Sequence, residues 1–292
     1  MRKIVTHKEP RHWDDFIAVA LLKRSYPDAL VEFVHPQQVP QEYYEDREVC
    51  LVDVGGRYEP EWMNFDHHQD VSLNCSLVLV LRHVYGLSVM SRVLRFIDVA
   101  DRFGVKRASE EVGVRLDPQE DAMRREILLI DLNRYGGEVG KVLWDTLLID
   151  DYSLWIRKVY AALDEIGLLD EPRRKIREEE ERYREKVGKV EIREYGDVKV
   201  AFSAESLAPY HYRFFQESGV VLLVERNSMS REHTSVIKNT NLEWAKDIDL
   251  SRVFEEYPRV FLHPNGFIAV IGVRYEEVDK DRVVKLVVNK SI

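Results

Sequence analysis

Cysteine is scarce in this sequence, where Cys50 and Cys75 are the only two. Two thiols are too few for the disulfide framework of a small secreted domain or for a four-cysteine zinc ribbon. Both stand among apolar residues, as buried reduced cysteines commonly do. The sequence therefore favours a protein of a reducing cytoplasm.

Long apolar runs and a leader pattern are also lacking. No stretch approaches the ~20 apolar residues of a membrane-spanning helix. The chain starts Met1-Arg2-Lys3 and continues directly into a predicted strand, which does not resemble a signal peptide. We therefore expect a cytoplasmic location and no membrane partner.

Positive charge falls short of negative charge, since 43 Lys and Arg stand against 52 Asp and Glu and the net charge is −9. This balance argues against a protein that coats nucleic acid along its length. It leaves open an enzyme that grips a short nucleic acid locally, where metal ions supply much of the positive charge.

The chain does have length and apolar content. Its 292 residues exceed the usual size of a single core, and 45% hydrophobic residues suffice for more than one core. We predict an N-terminal domain over 1–117, a helical connector over 118–188 and a smaller C-terminal α/β domain over 189–292. Within the connector, 173–186 places Glu and Arg at i,i+4, which is typical of a solvated helix.

The first hundred residues read as alternating strands and helices. Apolar, β-favouring runs over 3–6, 30–34 and 49–54 predict strands, and apolar residues at helical spacing from Phe16 to Tyr26 predict a helix that Pro27 ends. Strand and helix in this order with short links indicate an α/β fold with a mainly parallel sheet. Ligands of such folds gather at the carboxyl ends of the strands.

The stretch 52–70 is the most informative part of the sequence. Asp53 stands within an apolar strand end, where a carboxylate costs several kcal/mol unless a partner holds its charge. Two glycines follow it and permit a sharp turn. Asp66, His67 and His68 come ten residues later. Carboxylate and imidazole together suit Mn, Zn or Fe, so the missing partner is predicted to be a metal ion.

Other polar residues follow other elements of the same domain. His7 and His12 come after the first strand, and Asp14 and Asp15 stand at the start of the helix, where both also suit the ordinary role of helix capping. Asp98 and Asp101, three residues apart on an apolar helical stretch, are predicted to look inward, and either can be the ligand. Together these groups supply the shell that a pair of divalent ions ~3.5–4 Å apart needs. Ser76 is predicted to cap the helix that follows the loop of Asp66, His67 and His68.

Two polar turns mark the predicted C-terminal domain. One follows the strand 220–224 and has a polar, basic tip, as in a β-hairpin, and the other follows an apolar strand and has a glycine that permits close approach. Cations, amides and hydroxyls of this kind suit contacts with phosphate and sugar. The candidate substrate-binding residues on the two turns are Arg226, Asn227, His233, Thr234, His263, Asn265 and Gly266.

These motifs resemble the DHH phosphoesterase superfamily and, more narrowly, the melanocyte-proliferating-gene family, whose members are described as metal-dependent hydrolases or exonucleases. The resemblance rests on Thr6-His7 with His12-Trp13-Asp14-Asp15, on Val-Asp-Val-Gly-Gly-x-Tyr-x-Pro at 52–60, on Phe-Asp-His-His-Gln at 65–69 and on the Phe-x-His element at 261–269. Glu9 and Arg11 depart from the Gly and Phe of the family pattern. The Gly-Gly-Gly-His signature of many C-terminal domains in the superfamily is absent.

The resemblance implies a two-metal phosphodiesterase, most like a 3′–5′ exonuclease acting on RNA or short oligonucleotides. It implies two Mn²⁺ ions, with Mg²⁺, Co²⁺ or Zn²⁺ as alternatives, held by His7, His12, Asp14, Asp53, His67 and Asp101. Asp53 would bridge the ions, and His68 would face the scissile phosphate as a catalytic residue. Asp66 would orient His67.

Two other functions fit the same residues. One is a small-molecule phosphatase or pyrophosphatase of the superfamily, and the other is a catalytically weak, metal-stapled nucleotide-binding protein. The expected partners are short RNA or DNA, or a nucleotide, and a homodimer is left open. Protein ligands that leave the ions open positions favour catalysis over a purely structural metal.

Overall fold

The structure is a computed structural model that describes residues 1–8, 11–36, 38–114 and 118–288. It divides into two compact units, Met1–Ile176 and Arg177–Ile292. The division falls inside the stretch 118–188, so the helical residues before Ile176 pack with the first unit. The further separation of a connector from a catalytic domain stays a prediction, and its boundary at 117 lies outside the described residues.

The first unit is built on a five-stranded sheet. Its strands are β1 (Lys3–His7), β2 (Leu30–Val34), β3 (Val49–Val52), β4 (Tyr58–Glu59) and β5 (Asn64–Phe65). The order is β2-β1-β3-β5-β4, with every neighbouring pair parallel except β4 and β5. The α/β class and the mainly parallel sheet predicted for this part of the chain are confirmed.

The described residues of the first unit also contain seven complete helices and part of an eighth. They are α1 (Trp13–Ser25), α2 (Ser76–Val84), α3 (Arg92–Phe103), α4 (Val105–Val112), α5 (Pro118–Ile127), α6 (Leu132–Thr146), α7 (Tyr152–Glu165) and the first part of α8 (Asp170–Val187). Helix α1 is buried from Trp13 to Lys23 because it lies in the middle of the unit. The Trp13 and Trp155 rings pack edge to face with centroids 5.4 Å apart, which ties α1 to α7. A buried central position explains why the helix is apolar on all sides between Phe16 and Leu22.

Helices α1 and α6 pack so closely that only glycine fits at their contact. A Cβ built on Gly140 would lie 2.1 Å from the carbonyl oxygen of Ala20, whereas one on Gly137 would have only the oxygen of Lys23 at 4.0 Å. We expect Gly140→Ala to lower the free energy of unfolding by about 1–3 kcal/mol or more, because the two backbones must separate. Gly137→Ala, in the same helix, is the matched control. It should raise the free energy of unfolding by about 0.5–1 kcal/mol, because alanine favours the helix more than glycine does. Urea denaturation of both variants checks the pair, and equal effects would contradict the close packing.

The second unit holds a six-stranded mixed sheet. Its strands are β6 (Glu191–Tyr195), β7 (Val198–Ser203), β8 (Leu222–Arg226), β9 (Thr234–Lys238), β10 (Arg259–Leu262) and β11 (Ile268–Ile271), and its other helices are α9 (His211–Ser218) and α10 (Lys280–Val288). The order is β10-β11-β9-β8-β7-β6, and only β7 and β8 pair in parallel. The hairpin predicted around the polar, basic tip is confirmed as β8 and β9.

Among the described residues, every helix is too short or too polar to cross a membrane.

Candidate metal centre

The parallel sheet brings the predicted site residues of the first unit together at one edge. His7 is the last residue of β1, Asp53 directly follows β3, and Asp66 directly follows β5. Because these three strands are parallel, their carboxyl ends lie side by side. Helix α1 brings Asp14 to the same edge, and the end of α3 brings Asp101. We call His7, His12, Asp14, Asp53, His67 and Asp101 the acid–imidazole cluster.

Asp53 lies at the centre of the cluster. Its Oδ1 lies 3.2 Å from Nε2 of His67, and its Oδ2 lies 3.3 Å from Nε2 of His7. Its backbone φ is 60°, in the left-handed region that aspartate tolerates better than most residues but that still costs free energy. The strained turn directs the two oxygens of this one carboxylate towards two different imidazoles. A carboxylate that bridges two metal ions needs the same placement.

Four members of the cluster converge on one small volume. One ligand atom each from Asp14, Asp53, His67 and Asp101 lie within 4.8 Å of one another. Both carboxylate oxygens of Asp14, Nε2 of His67 and Oδ2 of Asp101 are buried and form no hydrogen bond among the described residues. Nε2 of His67 and Oδ2 of Asp101 are 2.9 Å apart, yet they lack hydrogen-bond geometry. Unpaired buried lone pairs that face a common point fit a divalent ion.

The electrostatics of the cluster favour a bound cation. Burial raises the pKa of Asp14 well above its usual value, and the charges of Asp53 and Asp101 raise it further. Burial also opposes ionisation of Asp53, but its contacts with His67 and His7 hold the pKa of this carboxyl well below its usual range. Several carboxylates packed in one buried site repel one another unless positive charge is added between them. The donor set of carboxylate oxygens and imidazole nitrogens therefore could bind metal ions, and it suits Mn, Zn or Fe.

His7 and His12 form the other side of the cluster. Nδ1 of His7 lies 2.6 Å from the carbonyl oxygen of Lys8, to which it can donate, and this leaves Nε2 as the nitrogen that faces the carboxylates. Ligating histidines are usually held in this way through their second nitrogen. Burial opposes protonation of His7, but Asp53 and Asp15 raise its pKa to about 9. The His12 ring lies 6.1 Å from that of His7, and its Nδ1 is 3.2 Å from Oδ1 of Asp101.

The structure contradicts the prediction made for the partner of Asp66. Asp66 was expected to orient His67, but its Oδ1 lies 2.7 Å from Nδ1 of His68 and also accepts the backbone N–H of His68 at 3.0 Å. Its Oδ2 accepts the N–H of Gly56 at 2.7 Å. A carboxylate two residues before an imidazole reaches its backbone and ring in one tight turn, whereas the ring of His67 points to Asp53 and Asp101. Asp66 therefore fixes the side chain of His68, which is 62% exposed.

The structure separates the two acids of α3. Oδ1 of Asp98 accepts the N–H of Cys75 at 2.7 Å, and its Oδ2 accepts from the Asn74 amide at 3.2 Å. Asp98 thus satisfies the backbone where α2 begins, while Asp101 lies in the cluster. Helical spacing alone places both acids on the same side and cannot choose between them.

Sequence reasoning missed the contributions of two residues near the cluster. Ser76 was predicted as a helix cap, but Cys75 is the N-cap of α2, and the Ser76 hydroxyl donates to Oδ1 of Asp53 at 2.9 Å. Asp15 accepts the backbone N–H of His12 at 2.6 Å, and its other oxygen lies 3.8 Å from Nε2 of His7. Burial raises the pKa of Asp15 to about 7. Its position three residues after His12, as in a capping box, is the signal that could have indicated this hydrogen bond.

The two departures from the family pattern lie before α1. Glu9 lies outside the described residues. The Arg11 guanidinium packs over the Phe33 ring at 4.9 Å and donates to the carbonyl of Ile130 at 3.4 Å. Arg11 therefore contacts β2 and the loop before α6.

The predicted substrate-binding residues of the second unit lie on its two polar turns. Several of them form hydrogen bonds or ion pairs with other residues of the same unit. The Thr234 hydroxyl is buried and donates to the carbonyl of Val273 at 2.9 Å, and the Asn227 amide donates to Ser235 at 2.9 Å. Arg226 pairs with Glu276. The His263 ring accepts the N–H of Asn265 at 3.1 Å and lies 4.0 Å from the ring of Phe267. The other two residues are His233, in the β8–β9 turn, and Gly266, whose φ is 65°. Their role in binding substrate stays a prediction.

Fold and site together define an α/β protein whose first unit carries a buried acid–imidazole centre suited to metal ions. Residues 3–74 match the model of the family MYG1_exonuc, described as "Uncharacterised protein family (UPF0160)". The matched stretch contains every member of the cluster except Asp101, and it supports the resemblance over that part of the chain. The element at 261–269 lies outside it.

Comparison with curated proteins finds no match. Among solved structures, the chain is similar to a pGpG-specific phosphodiesterase, PggH, from Vibrio cholerae. The two share 15% sequence identity with a TM-score of 0.47, over 97% of this chain and 96% of that one. A likeness at this level says nothing about the activity of this chain.

Proposed function

We propose that this protein is a metal-dependent phosphodiesterase that removes nucleotides from the 3′ end of short oligonucleotides, with RNA as the preferred substrate and two Mn²⁺ ions as cofactors. The observation that carries the proposal is the set of buried, unpaired oxygen and nitrogen atoms that converge around Asp53. Such a site is unfavourable without cations, and its donor types are those of Mn²⁺ in hydrolases.

The cluster divides into two ligand groups that share Asp53. Asp14, Asp53, His67 and Asp101 would hold one ion, since their ligand atoms already lie within 4.8 Å of one another. His7 and His12 would hold the other together with the second oxygen of Asp53. Two divalent ions bound there would supply a more acidic water and neutralise charge on the phosphate oxygens.

The protein's own residues position these groups and the substrate. Ser76 holds Oδ1 of Asp53 through a buried hydrogen bond, so the bridging carboxylate cannot rotate freely. Asp66 accepts a hydrogen bond from Nδ1 of His68 and raises the pKa of this imidazole, so the protonated ring has Nε2–H free to donate to a non-bridging phosphate oxygen. Asp66 and His68 are therefore proposed as the catalytic pair, in which Asp66 orients and His68 contacts the substrate.

Exposure favours a catalytic centre over a structural metal site. Structural sites are closed by protein ligands on all sides. Here the side chains of His12 and His68 are 51% and 62% exposed, while Asp53 and Asp101 are almost fully buried. The ligands are therefore held in the interior on one side and face solvent on the other, where a substrate phosphate can approach.

The proposed function is tested with a panel of substrates and purified full-length protein. We expect hydrolysis of a 5′-labelled RNA pentamer into progressively shorter labelled products when Mn²⁺ is present, and none when EDTA replaces it. Single-stranded DNA of the same sequence, bis-(p-nitrophenyl) phosphate and pyrophosphate complete the panel. A preference for RNA would reflect contact with the 2′-hydroxyl.

The panel also separates the competing functions. Turnover of pyrophosphate alone would replace the proposal with a small-molecule phosphatase. Binding of Mn²⁺ without turnover of any phosphoester would indicate a metal-stapled binding protein. Internal cleavage products from the RNA would contradict removal of nucleotides from an end.

A further inference from the structure

A small cavity of about 140 Å³ opens beside the acid–imidazole cluster. Two cluster side chains, His67 and Asp101, line it together with His68. The remaining lining residues are Val71, Arg102 and Phe103. A group bound in this cavity would therefore lie directly against the proposed metal centre.

The cavity differs from the cluster in having apolar walls exposed to solvent. Val71 is 82% exposed and Phe103 is 41% exposed. Covering apolar surface of this kind stabilises a complex. A phosphate or pyrophosphate ion would gain nothing from these two side chains, whereas a flat, weakly polar group would.

Two guanidinium groups pack on the Phe103 ring. Arg102 lies 4.6 Å and Arg107 4.4 Å from its centroid. Arg102 is itself fixed, since it donates to the carbonyl of Leu73 and lies 3.7 Å from Asp98. Arg107 is exposed and pairs with no carboxylate in the part of the chain that the structure describes. The ring is thus held in place, and uncompensated positive charge lies next to it.

Resting on the proposed function, we propose that this cavity receives the nucleobase beside the scissile phosphate, with Phe103 and Val71 as its apolar contacts and Arg107 as a flanking cation. Aromatic rings and guanidinium planes are the groups on which unstacked bases settle. Because such contacts use the face of a base, they tolerate all bases and read no sequence. The substrate class is therefore a nucleoside phosphodiester and not an inorganic phosphoanhydride.

The test uses three dinucleotides, one with both bases and two that are each abasic at one of the two nucleosides. Phe103→Leu removes the ring but keeps an apolar side chain of similar size. We expect it to lower kcat/KM for the dinucleotide with both bases about 5- to 150-fold, the range that base–aromatic stacking covers. Turnover of the substrate that is abasic at the contacted position should change less than twofold. Phe103→Tyr, which restores a ring, should recover most of the loss.

Matched controls separate the subsite from general effects of mutation. Leu148 is 52% exposed and follows Leu147 in the sequence. The carbonyl of Leu147 accepts a hydrogen bond from Ser91 at the start of α3, whereas Phe103 is at the other end of that helix. Arg47 packs over Trp62 at 5.1 Å and precedes β3, away from its carboxyl end. Leu148→Ala and Arg47→Ala should leave turnover of all three dinucleotides unchanged, whereas Arg107→Ala should lower turnover of the dinucleotide with both bases.

A binding measurement distinguishes failure of this inference from failure of the proposed function. Isothermal titration in Mn²⁺ should show that adenosine 5′-monophosphate binds at least fivefold more tightly than ribose 5-phosphate, and Phe103→Leu should remove the difference. This preference can be found even if no diester is hydrolysed, in which case only the proposed function fails. Two results together would overturn the subsite. Phe103→Leu would reduce turnover of the intact dinucleotide and of both singly abasic dinucleotides equally, and binding would show no preference for adenosine 5′-monophosphate over ribose 5-phosphate.

Discussion

Asp53→Asn should reduce phosphodiester hydrolysis about a thousandfold or more, the largest loss of activity expected from any single substitution in this chain. The two oxygens of Asp53 face His67 on one side and His7 on the other, at 3.2 and 3.3 Å. An amide keeps the shape of the side chain but loses its charge and offers only one oxygen. Both ion sites would be weakened together, and a pair of ions supplies several kcal/mol of transition-state stabilisation.

Steady-state kinetics in saturating Mn²⁺ measures this loss. Asp70→Asn is the matched control, because Asp70 lies in the same loop as His67 and His68 but is exposed, and among the described residues its carboxylate bonds only Ser72. Circular dichroism of both variants should match the unmodified protein. Retention of more than a tenth of the activity by Asp53→Asn would show that the chemistry takes place elsewhere.

The arrangement of the first unit could be predicted because its signals are local and repeated. Buried apolar runs define β1, β2 and β3, and the parallel pairing of β1 with β2 follows from helix α1 between them. The two-residue strands β4 and β5 escaped prediction, since no periodicity can be read over two residues. They matter, because Asp66 follows β5 and is thereby placed next to Asp53.

The candidate site was predictable at the level of residue types but not of partners. A carboxylate at an apolar strand end and the DHH run are unusual enough to be recognised in a sequence. Which imidazole Asp66 holds depends on the path of a two-residue turn, and the choice between Asp98 and Asp101 depends on where α2 begins. Ser76 contributes through a hydrogen bond between two elements, and hydroxyls are too common at helix starts for sequence to reveal such a contact.

The polar turns of the second unit show the opposite difficulty. Cations, amides and hydroxyls that suit a ligand equally suit the turn itself, because tight turns leave backbone groups that need partners. Asn227 illustrates this, since its Oδ1 accepts the N–H groups of Met229 and Ser230. In such turns, exposed side chains that form no hydrogen bond with the backbone are better candidates for binding substrate than residues chosen by type alone.

Asp14→Asn should make the protein more stable in chelator and remove most of the stabilisation by Mn²⁺, so that the ranking of the two proteins reverses between the two conditions. Asp14 is fully buried, forms no hydrogen bond through either carboxylate oxygen among the described residues, and is repelled by Asp53 and Asp101. Without ions, a neutral side chain of the same size removes this repulsion. Replacement of buried ionic groups by neutral, well-packed side chains is often neutral or stabilising by about 1–4 kcal/mol, and a gain within this range is expected here.

With ions present, the same carboxylate becomes favourable. A ligand that binds only the folded state at one hundred times its Kd adds ~2.7 kcal/mol to the free energy of unfolding. For a unit of this size, each kcal/mol shifts the midpoint of thermal unfolding by about 2–4 °C. The unmodified protein should therefore gain roughly 5–10 °C from Mn²⁺. Asp14→Asn should gain much less, because its amide has lost the negative charge and one of the two oxygens that a carboxylate offers to a metal ion.

Thermal unfolding followed by tryptophan fluorescence, in EDTA and in Mn²⁺, measures all four midpoints. Trp13 and Trp155 lie in the core of the first unit, so the signal reports on the part of the chain that holds the cluster. Asp28→Asn, at an exposed position after α1, is the control and should shift neither midpoint. If Asp14→Asn were less stable than the unmodified protein in EDTA, or equally stabilised by Mn²⁺, then Asp14 would serve the fold and not a metal ion. A reversed ranking is expected because carboxylates gathered for a cation destabilise the fold that holds them until the cation binds.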